Sequence, residues 1–272
     1  MGSADMSEKP QTTRAVCVSM WLGEKLGPLS AACLSSFVRH GHRVVLYCYD
    51  PLDDVPPGVE VADGNAIVPS SKIVRYRESG SFALCADLFR YELQRRDLGL
   101  WIDCDVYCLR PFDFATEMVV GWRGSWGVNN AVMRLPKDSP ILEELIGLFS
   151  RDSPVLPWLT KSEQNDFRTR KLSGEKFDLS DLPWGSAGPH ALTYLLRERG
   201  LLRQALPSPV FYPLLAKDVP VLLRANANIL QFIRPETRAV HLFNEKLRKS
   251  AAKAERDSPI DRFDETRLSL AG

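Results

Sequence analysis

Two carboxylates one residue apart, Asp103 and Asp105, stand inside the otherwise apolar run Trp101-Ile102-Asp103-Cys104-Asp105-Val106-Tyr107. In an extended strand residues i and i+2 point the same way, so the pair is expected to put two like charges on one face. Such charges repel unless a cation sits between them. Hard carboxylate oxygens suit Mg²⁺ or Mn²⁺, ions that complete their shells with substrate phosphates and water. The chemistry this spacing supports is metal-assisted handling of a phosphorylated ligand. The competing reading is a strand that runs into a loop carrying two solvated acids.

The preceding segment bears on that choice. From Ser79 to Asp97 the bulky residues Phe82, Phe89 and Leu93 recur at helical spacing, with Cys85 and Ala86 on the same side, so this face is expected in the core. Asp87, Arg90 and Gln94 form a polar stripe at i, i+3 and i+7, flanked by Leu84, Leu88 and Tyr91. A solvated face would be broader and more charged. Taken alone, the stripe is equally an i,i+3 ion pair worth about 0.2–0.5 kcal/mol. The helix runs through Leu98-Gly99-Leu100 into the Asp-x-Asp strand, which brings Asp87 and Arg90 to one end of the same pocket.

The order Ser81, Ala86, Asp87, Arg90, Asp103-Cys104-Asp105 and Pro111 resembles the signature of glycosyltransferases with a sugar-binding Asp-x-Asp motif. These are the family 32 enzymes of capsular polysaccharide and lipopolysaccharide assembly, to which the glucosylating domains of clostridial toxins are distantly similar. Val18-Ser19-Met20-Trp21-Leu22-Gly23 resembles that family's first strand and its Trp-hydrophobic-Gly turn. The likeness spans roughly residues 16–244 and is densest over 81–130. Leu98-Gly99 departs from it, because the family has a glycine pair there. The resemblance implies a GT-A-like α/β fold and a divalent metal on Asp103 and Asp105. It also implies donor-sugar contacts from Asp87 and Arg90, and retention of anomeric configuration.

Alternating elements surround these residues. Residues 14–20 read as a strand, 28–40 as a helix and 43–49 as a second strand before a Pro-rich loop through Gly58. A βαβ start of this kind predicts a mostly parallel central sheet flanked by helices, with ligands at the C-terminal strand ends. Trp21 falls at such an end and is either core filler or, as the resemblance implies, a stacking face for the uracil of the donor. Asn129 and Asn130 open an apolar strand, or simply form a turn. In the resembling family an Asn here approaches the anomeric centre, and Asn130 fits that place better. Residues 140–150 read as a helix.

Residues 151–183 are rich in Pro, Ser, Lys and Asp with little periodicity, and read as an acceptor-side excursion over the mouth of the site. Trp184-Gly185-Ser186-Ala187-Gly188-Pro189-His190 starts a further helix, in which the Gly-Pro turn resembles the family's and makes Ser186, Gly188 and His190 candidate contacts. His241, in a late strand, is either a satisfied core histidine or, by the resemblance, a third metal ligand or phosphate contact.

Composition narrows the classes. The chain has 272 residues, enough for one substantial core, and 35 basic against 34 acidic side chains leave a formal charge of +1. That balance gives no field for nucleic acid. Six cysteines, all within the first 108 residues and without CxxC spacing, read as reduced core thiols of a cytoplasmic protein. No apolar run reaches the length of a membrane span. The expected organisation is a flexible tail over 1–13, a GT-A-like domain over 14–244 and a charged tail over 245–272. Basic residues in the last segment allow peripheral contact with the inner face of a membrane.

The expected activity is transfer of a sugar from a nucleotide-sugar donor, a UDP-sugar, to a glycan or glycolipid acceptor with Mn²⁺ or Mg²⁺. Two rivals stand against it. One is a haloacid-dehalogenase-like phosphatase, whose Asp-x-Asp also ends a strand and binds Mg²⁺, although Tyr107 stands where that family has Thr or Val. The other is a noncatalytic sugar-nucleotide-binding protein.

Overall fold

The computed structural model describes residues 14–250 and 253–263, so the expected tail over 1–13 lies outside the described residues. In chain order the elements are β1 (Cys17–Trp21), α1 (Pro28–Arg39), β2 (Val44–Cys48), β3 (Val59–Asp63), α2 (Ala83–Arg95), β4 (Leu100–Ile102), β5 (Val106–Cys108), β6 (Val119–Trp122), β7 (Val128–Arg134), α3 (Pro140–Gly147), α4 (Lys161–Leu172), α5 (Pro189–Glu198), β8 (Ala239–His241), α6 (Asn244–Lys249) and α7 (Pro259–Phe263).

Six strands form one sheet in the order β3-β2-β1-β4-β7-β6. The pairs β2–β3, β1–β2 and β1–β4 are parallel, while β4–β7 and β6–β7 are antiparallel. The expected mostly parallel sheet with flanking helices is therefore present. Its central strands are buried on both faces, which is why β1 and β4 read as continuous apolar runs. On one face Val18, Trp101, Val120 and Met133 meet Phe89 and Leu93 of α2, Ile141 of α3 and Leu192 of α5. On the other Cys17, Leu100, Ile102 and Val132 meet Leu34 and Phe37 of α1 together with Phe112 and Phe211. Each such large apolar side chain contributes about 1.5–3 kcal/mol by leaving water.

Parallel β1 and β4 bring their C-terminal ends to one edge, with Trp21 closing β1 and Asp103 following β4. A close approach between the two chains fixes this. Gly99 has φ +141°, and a Cβ there would lie 2.6 Å from the Val16 carbonyl oxygen. A glycine is required at that point, whichever residue stands before it.

Two segments carry structure that their composition does not signal. Residues 151–183, expected as an acceptor-side excursion, carry α4, opened by a capping box between Thr160 and Glu163. Leu156, Leu159, Phe167, Phe177, Leu179 and Leu182 enter the core. The segment KSEQNDFRTRKL buries only Gln164 and Phe167, so it has no apolar stripe to read, and the cap marks the helix instead. The charged segment after 244 is also partly built, as α6 and α7. The six cysteines are buried free thiols, as expected. Among the described residues no helix is long and apolar enough to cross a membrane.

Candidate active site

The Asp-x-Asp segment is a turn, not the extended strand its apolar flanks suggest. At Ile102 the chain leaves the six-stranded sheet, and after Asp105 it enters β5, which pairs antiparallel with β8. The switch is closed by Val106 N–H donating to the Asp103 carbonyl (3.1 Å), while Asp103 N–H donates to the Ala131 carbonyl (2.7 Å). Between the acids, Cys104 is buried, with its sulfur 3.1 Å from Ser19 Oγ and 3.6 Å from the Met20 carbonyl oxygen. Ser19 Oγ also donates to the Ile102 carbonyl (2.6 Å). These contacts hold the turn onto β1. Both carboxylates consequently open into one cavity, so the expected sidedness holds through a different local geometry.

β8 supplies the third member. Val106 pairs with His241, and the imidazole Nε2 lies 3.1 Å from Asp105 Oδ1. Asp105 Oδ2 accepts from Asn244 N–H (2.8 Å) at the start of α6. Phe243, in the left-handed region at φ 51°, stacks its ring 4.1 Å from that of His241. Burial pushes the Asp105 carboxyl up, but His241 and the Asn244 amide outweigh it and leave it below the usual range. For His241, burial favours the neutral ring, and the Asp105 and Asp103 charges overcome this and raise its pKa.

Asp103, Asp105 and His241 each offer one donor atom, all within 4.8 Å of one another. The His241 Nδ1 is buried without a hydrogen-bond partner among the described residues, which leaves the ring short of one polar contact. Two carboxylates and an imidazole in this arrangement fit a divalent cation.

The polar stripe of α2 forms the adjoining wall. Arg90 is buried; its Nη1 lies 3.3 Å from Asp103 Oδ1, its Nε lies 3.6 Å from Asp87 Oδ1, and it donates to the Asn130 carbonyl (2.5 Å). Its guanidinium also packs 4.7 Å from the Trp101 ring centre, while Trp101 Nε1 donates to Asp103 Oδ1 (2.7 Å). The i,i+3 ion pair is thus part of a network that fixes Asp103, not a surface helix pair. Asp87 Oδ1 accepts from Asn130 Nδ2 (2.8 Å). Burial raises its pKa to about 6, with Arg90 and Asn130 limiting the rise.

Asn129 and Asn130 lie within β7 and not in a turn. On β6, Gly121 pairs with Asn129 but Val120 pairs with Met133, so Asn130, Ala131 and Val132 bulge from that ladder. A bulge re-aims side chains. Here it lets successive residues of one strand, Asn129 and Asn130, both line the cavity, where strict alternation would have turned one away. The Asn129 carboxamide oxygen is engaged locally, accepting from Ala131 N–H (2.8 Å).

The resulting cavity has a volume of about 400 Å³ and gathers Asp87, Arg90, Asp103, Asp105, Asn129, Asn130 and His241. Four expected contacts lie outside it. Trp21 donates from Nε1 to the Lys25 carbonyl (2.9 Å) and lines a neighbouring hollow of about 270 Å³ with Ser81 and Phe82. The two spaces share Ala83 and Glu245. Gly188 is buried behind Asp87, where a Cβ would lie 2.5 Å from Oδ2. A side chain there would displace that carboxylate. Ser186 is buried and donates to the Pro183 carbonyl (2.6 Å), and neither it nor His190 lines the cavity.

Several lining residues were not among the expected contacts. Arg123 follows β6, Trp184 and Gly185 precede α5, and Glu245, Lys246 and Lys249 come from α6. No residue of 151–183 lines it. Trp101 was visible only as part of the apolar run, and its indole N–H is what orients Asp103. An Asp two residues after a buried Trp is the sole sequence signal for that bond.

No family model matches the chain, and no curated protein matches it. Among solved structures it is similar to the PaToxG glycosyltransferase, with 13% identity and a TM-score of 0.41 over 68% of this chain and 70% of that one. It is also similar to the apo structure of the bifunctional glycosyltransferase WbbM, with 14% identity and a TM-score of 0.36 over 87% of this chain. The second match spans about half of its counterpart, 47%.

Proposed function

We propose that this chain is a metal-dependent glycosyltransferase with a GT-A-like domain. In this reading it moves a sugar from a UDP-sugar to a hydroxyl of a glycan or glycolipid, with retention of configuration, in the cytoplasm and in peripheral contact with a membrane where polysaccharide is assembled. The observation that carries the reading is the convergence of two units on one cavity: the Asp103–Asp105–His241 donor set and the buried Asp87–Arg90–Asn130 network.

Asp103, Asp105 and His241 would hold the cation. Mn²⁺ tolerates a nitrogen ligand beside carboxylates better than Mg²⁺ does and is the preferred ion. When bound, it supplies Lewis-acid stabilisation of the charge that grows on the departing diphosphate. The chain's own residues do the rest by positioning. Asp87 and the Asn130 carboxamide offer acceptors and a donor to sugar hydroxyls, and Arg90 holds both Asp87 and Asp103 in place. Trp21, in the adjoining hollow, would stack on the base.

The phosphatase reading needs a free carboxylate nucleophile. Asp103 Oδ1 is occupied by Trp101 Nε1 and lies beside Arg90, which lowers its reactivity and disfavours that role. The test is calorimetric titration of a nucleotide-sugar panel with and without Mn²⁺, on the native chain and on Asp105→Ala. Metal-dependent UDP-sugar binding that is lost in the variant supports the transferase. Failure of the native chain to bind any nucleotide sugar sinks it.

A further inference from the structure

Inside the cavity most charges are committed to one another. Arg90 lies between Asp87 and Asp103, and Lys249 pairs with Glu245 (2.5 Å). Arg123 differs. It is half-buried and lines the cavity, yet among the described residues its guanidinium has no hydrogen bond or ion pair. Partly withdrawing a guanidinium from water without a partner costs free energy that a ligand oxygen would recover.

One indole shares its cavity and another shares its turn. Trp184 lines the same cavity with 43% of its surface exposed, and Trp126, in the β6–β7 turn that Arg123 begins, is 86% exposed. Neither indole N–H has an acceptor among the described residues. Trp101, by contrast, is fully enclosed. The turn is braced, not loose. Arg123 N–H donates to the Gly127 carbonyl (2.8 Å), Gly124 N–H to Ser208 Oγ (3.2 Å) and Val128 N–H to Thr193 Oγ1 (3.1 Å). A Cβ at Gly127 would lie 2.6 Å from Thr193 Oγ1, so the tip is pressed directly onto α5. A guanidinium and an aromatic face held on a fixed tip bind with little ordering cost.

We propose that Arg123, Trp184 and Trp126 form the acceptor subsite, and that the acceptor it takes is an oligosaccharide carrying a uronate sugar. This rests on the transferase reading. An indole face covers the C–H face of a pyranose, its N–H reaches a hydroxyl, and a guanidinium matches a carboxylate with two parallel hydrogen bonds. A neutral glycan would make no use of Arg123. The donor diphosphate has its own partners in the metal group and in Lys246 of α6.

The test is a fluorescence titration in the presence of UDP and Mn²⁺. Oligogalacturonates of two to four residues are compared with cello-oligosaccharides of equal length, on the native chain and on R123Q, W184A, W126A and the conservative W184F. The native chain is expected to bind the uronate series at least tenfold tighter than the neutral one. R123Q should abolish that preference, W184A should weaken both series tenfold or more, and W184F should recover most of the loss. Equal binding of both series, unchanged binding by R123Q and W184A, or preference for an acidic peptide over the uronates overturns the proposal. UDP binding by the native chain is read in the same experiment. Its absence would count against the donor reading, whereas UDP binding without uronate binding counts against the subsite alone.

Discussion

Gly188→Ala tests the idea that this glycine is a spacer for Asp87 and not a ligand contact. A Cβ at 188 would lie 2.5 Å from Asp87 Oδ2 and 2.7 Å from Oδ1, and ordinary contact begins near 3.4 Å. The carboxylate must therefore retreat by about 0.9 Å, a displacement of the size that costs roughly 100-fold when it misplaces a substrate-positioning group. It has little freedom to do so, since Oδ1 accepts from Asn130 and faces Arg90 within a buried network. Overpacking of this kind costs about 1–3 kcal/mol. At about 2–4 °C per kcal/mol for a chain this long, the melting temperature should fall by roughly 2–12 °C. The assays are thermal unfolding, and UDP release from the UDP-sugar that calorimetry identifies, where kcat/KM should drop by about two orders of magnitude. Gly147→Ala is the control: it ends α3, nothing lies within 4 Å of its would-be Cβ, and it should gain about 0.5–1 kcal/mol. A Gly188→Ala protein with native melting temperature and native turnover would refute the spacer argument.

Further outcomes are expected. Trp101→Phe removes the N–H that Asp103 Oδ1 accepts while keeping an aromatic face for Arg90, and should cost about 1.5–3 kcal/mol of stability or metal-dependent nucleotide affinity; unchanged urea midpoint and unchanged UDP affinity would rule out that role. His42 is buried, bonded through Nδ1 to the Ala15 carbonyl (3.0 Å) and accepting through Nε2 from Phe112 N–H (3.0 Å). Burial holds its pKa below the usual value, so the unfolded chain takes up a proton first as pH falls. Its stabilisation is complete above about pH 6.5 and is lost progressively below it, and His42→Gln should flatten that part of the urea midpoint against pH relative to the native chain. Identical slopes for the two proteins would remove His42 as the cause. His241→Ala should abolish the Mn²⁺ dependence of UDP-sugar binding, read by calorimetry; retained metal dependence would show that the two carboxylates suffice.

Much of this protein could be read locally. The apolar strands β1 and β2, the helix starting at Pro28 and the polar stripe of α2 follow from periodicity and caps, because those signals are carried by neighbours in the chain. The Asp103-Cys104-Asp105 triplet and its partners Asp87 and Arg90 were legible for the same reason. α4 was not, since its polar sequence carries almost no apolar stripe. Nor was the shape of the Asp-x-Asp segment: apolar flanks look alike whether a strand continues or passes from one sheet to another.

What only the tertiary structure decided is which of these residues meet. His241 reaches Asp105 because β8 pairs with β5 across more than 130 residues of chain, and Arg123 comes to line the same cavity as Trp184, with the Gly127 turn seated on Thr193 of α5. Gly188, a candidate contact by sequence, packs behind Asp87 and does not line the cavity. Residue type and spacing determined what chemistry was on hand. Long-range pairing and close packing determined which groups stand within a few ångströms of one another, and electrostatic and hydrogen-bond energies depend on that separation.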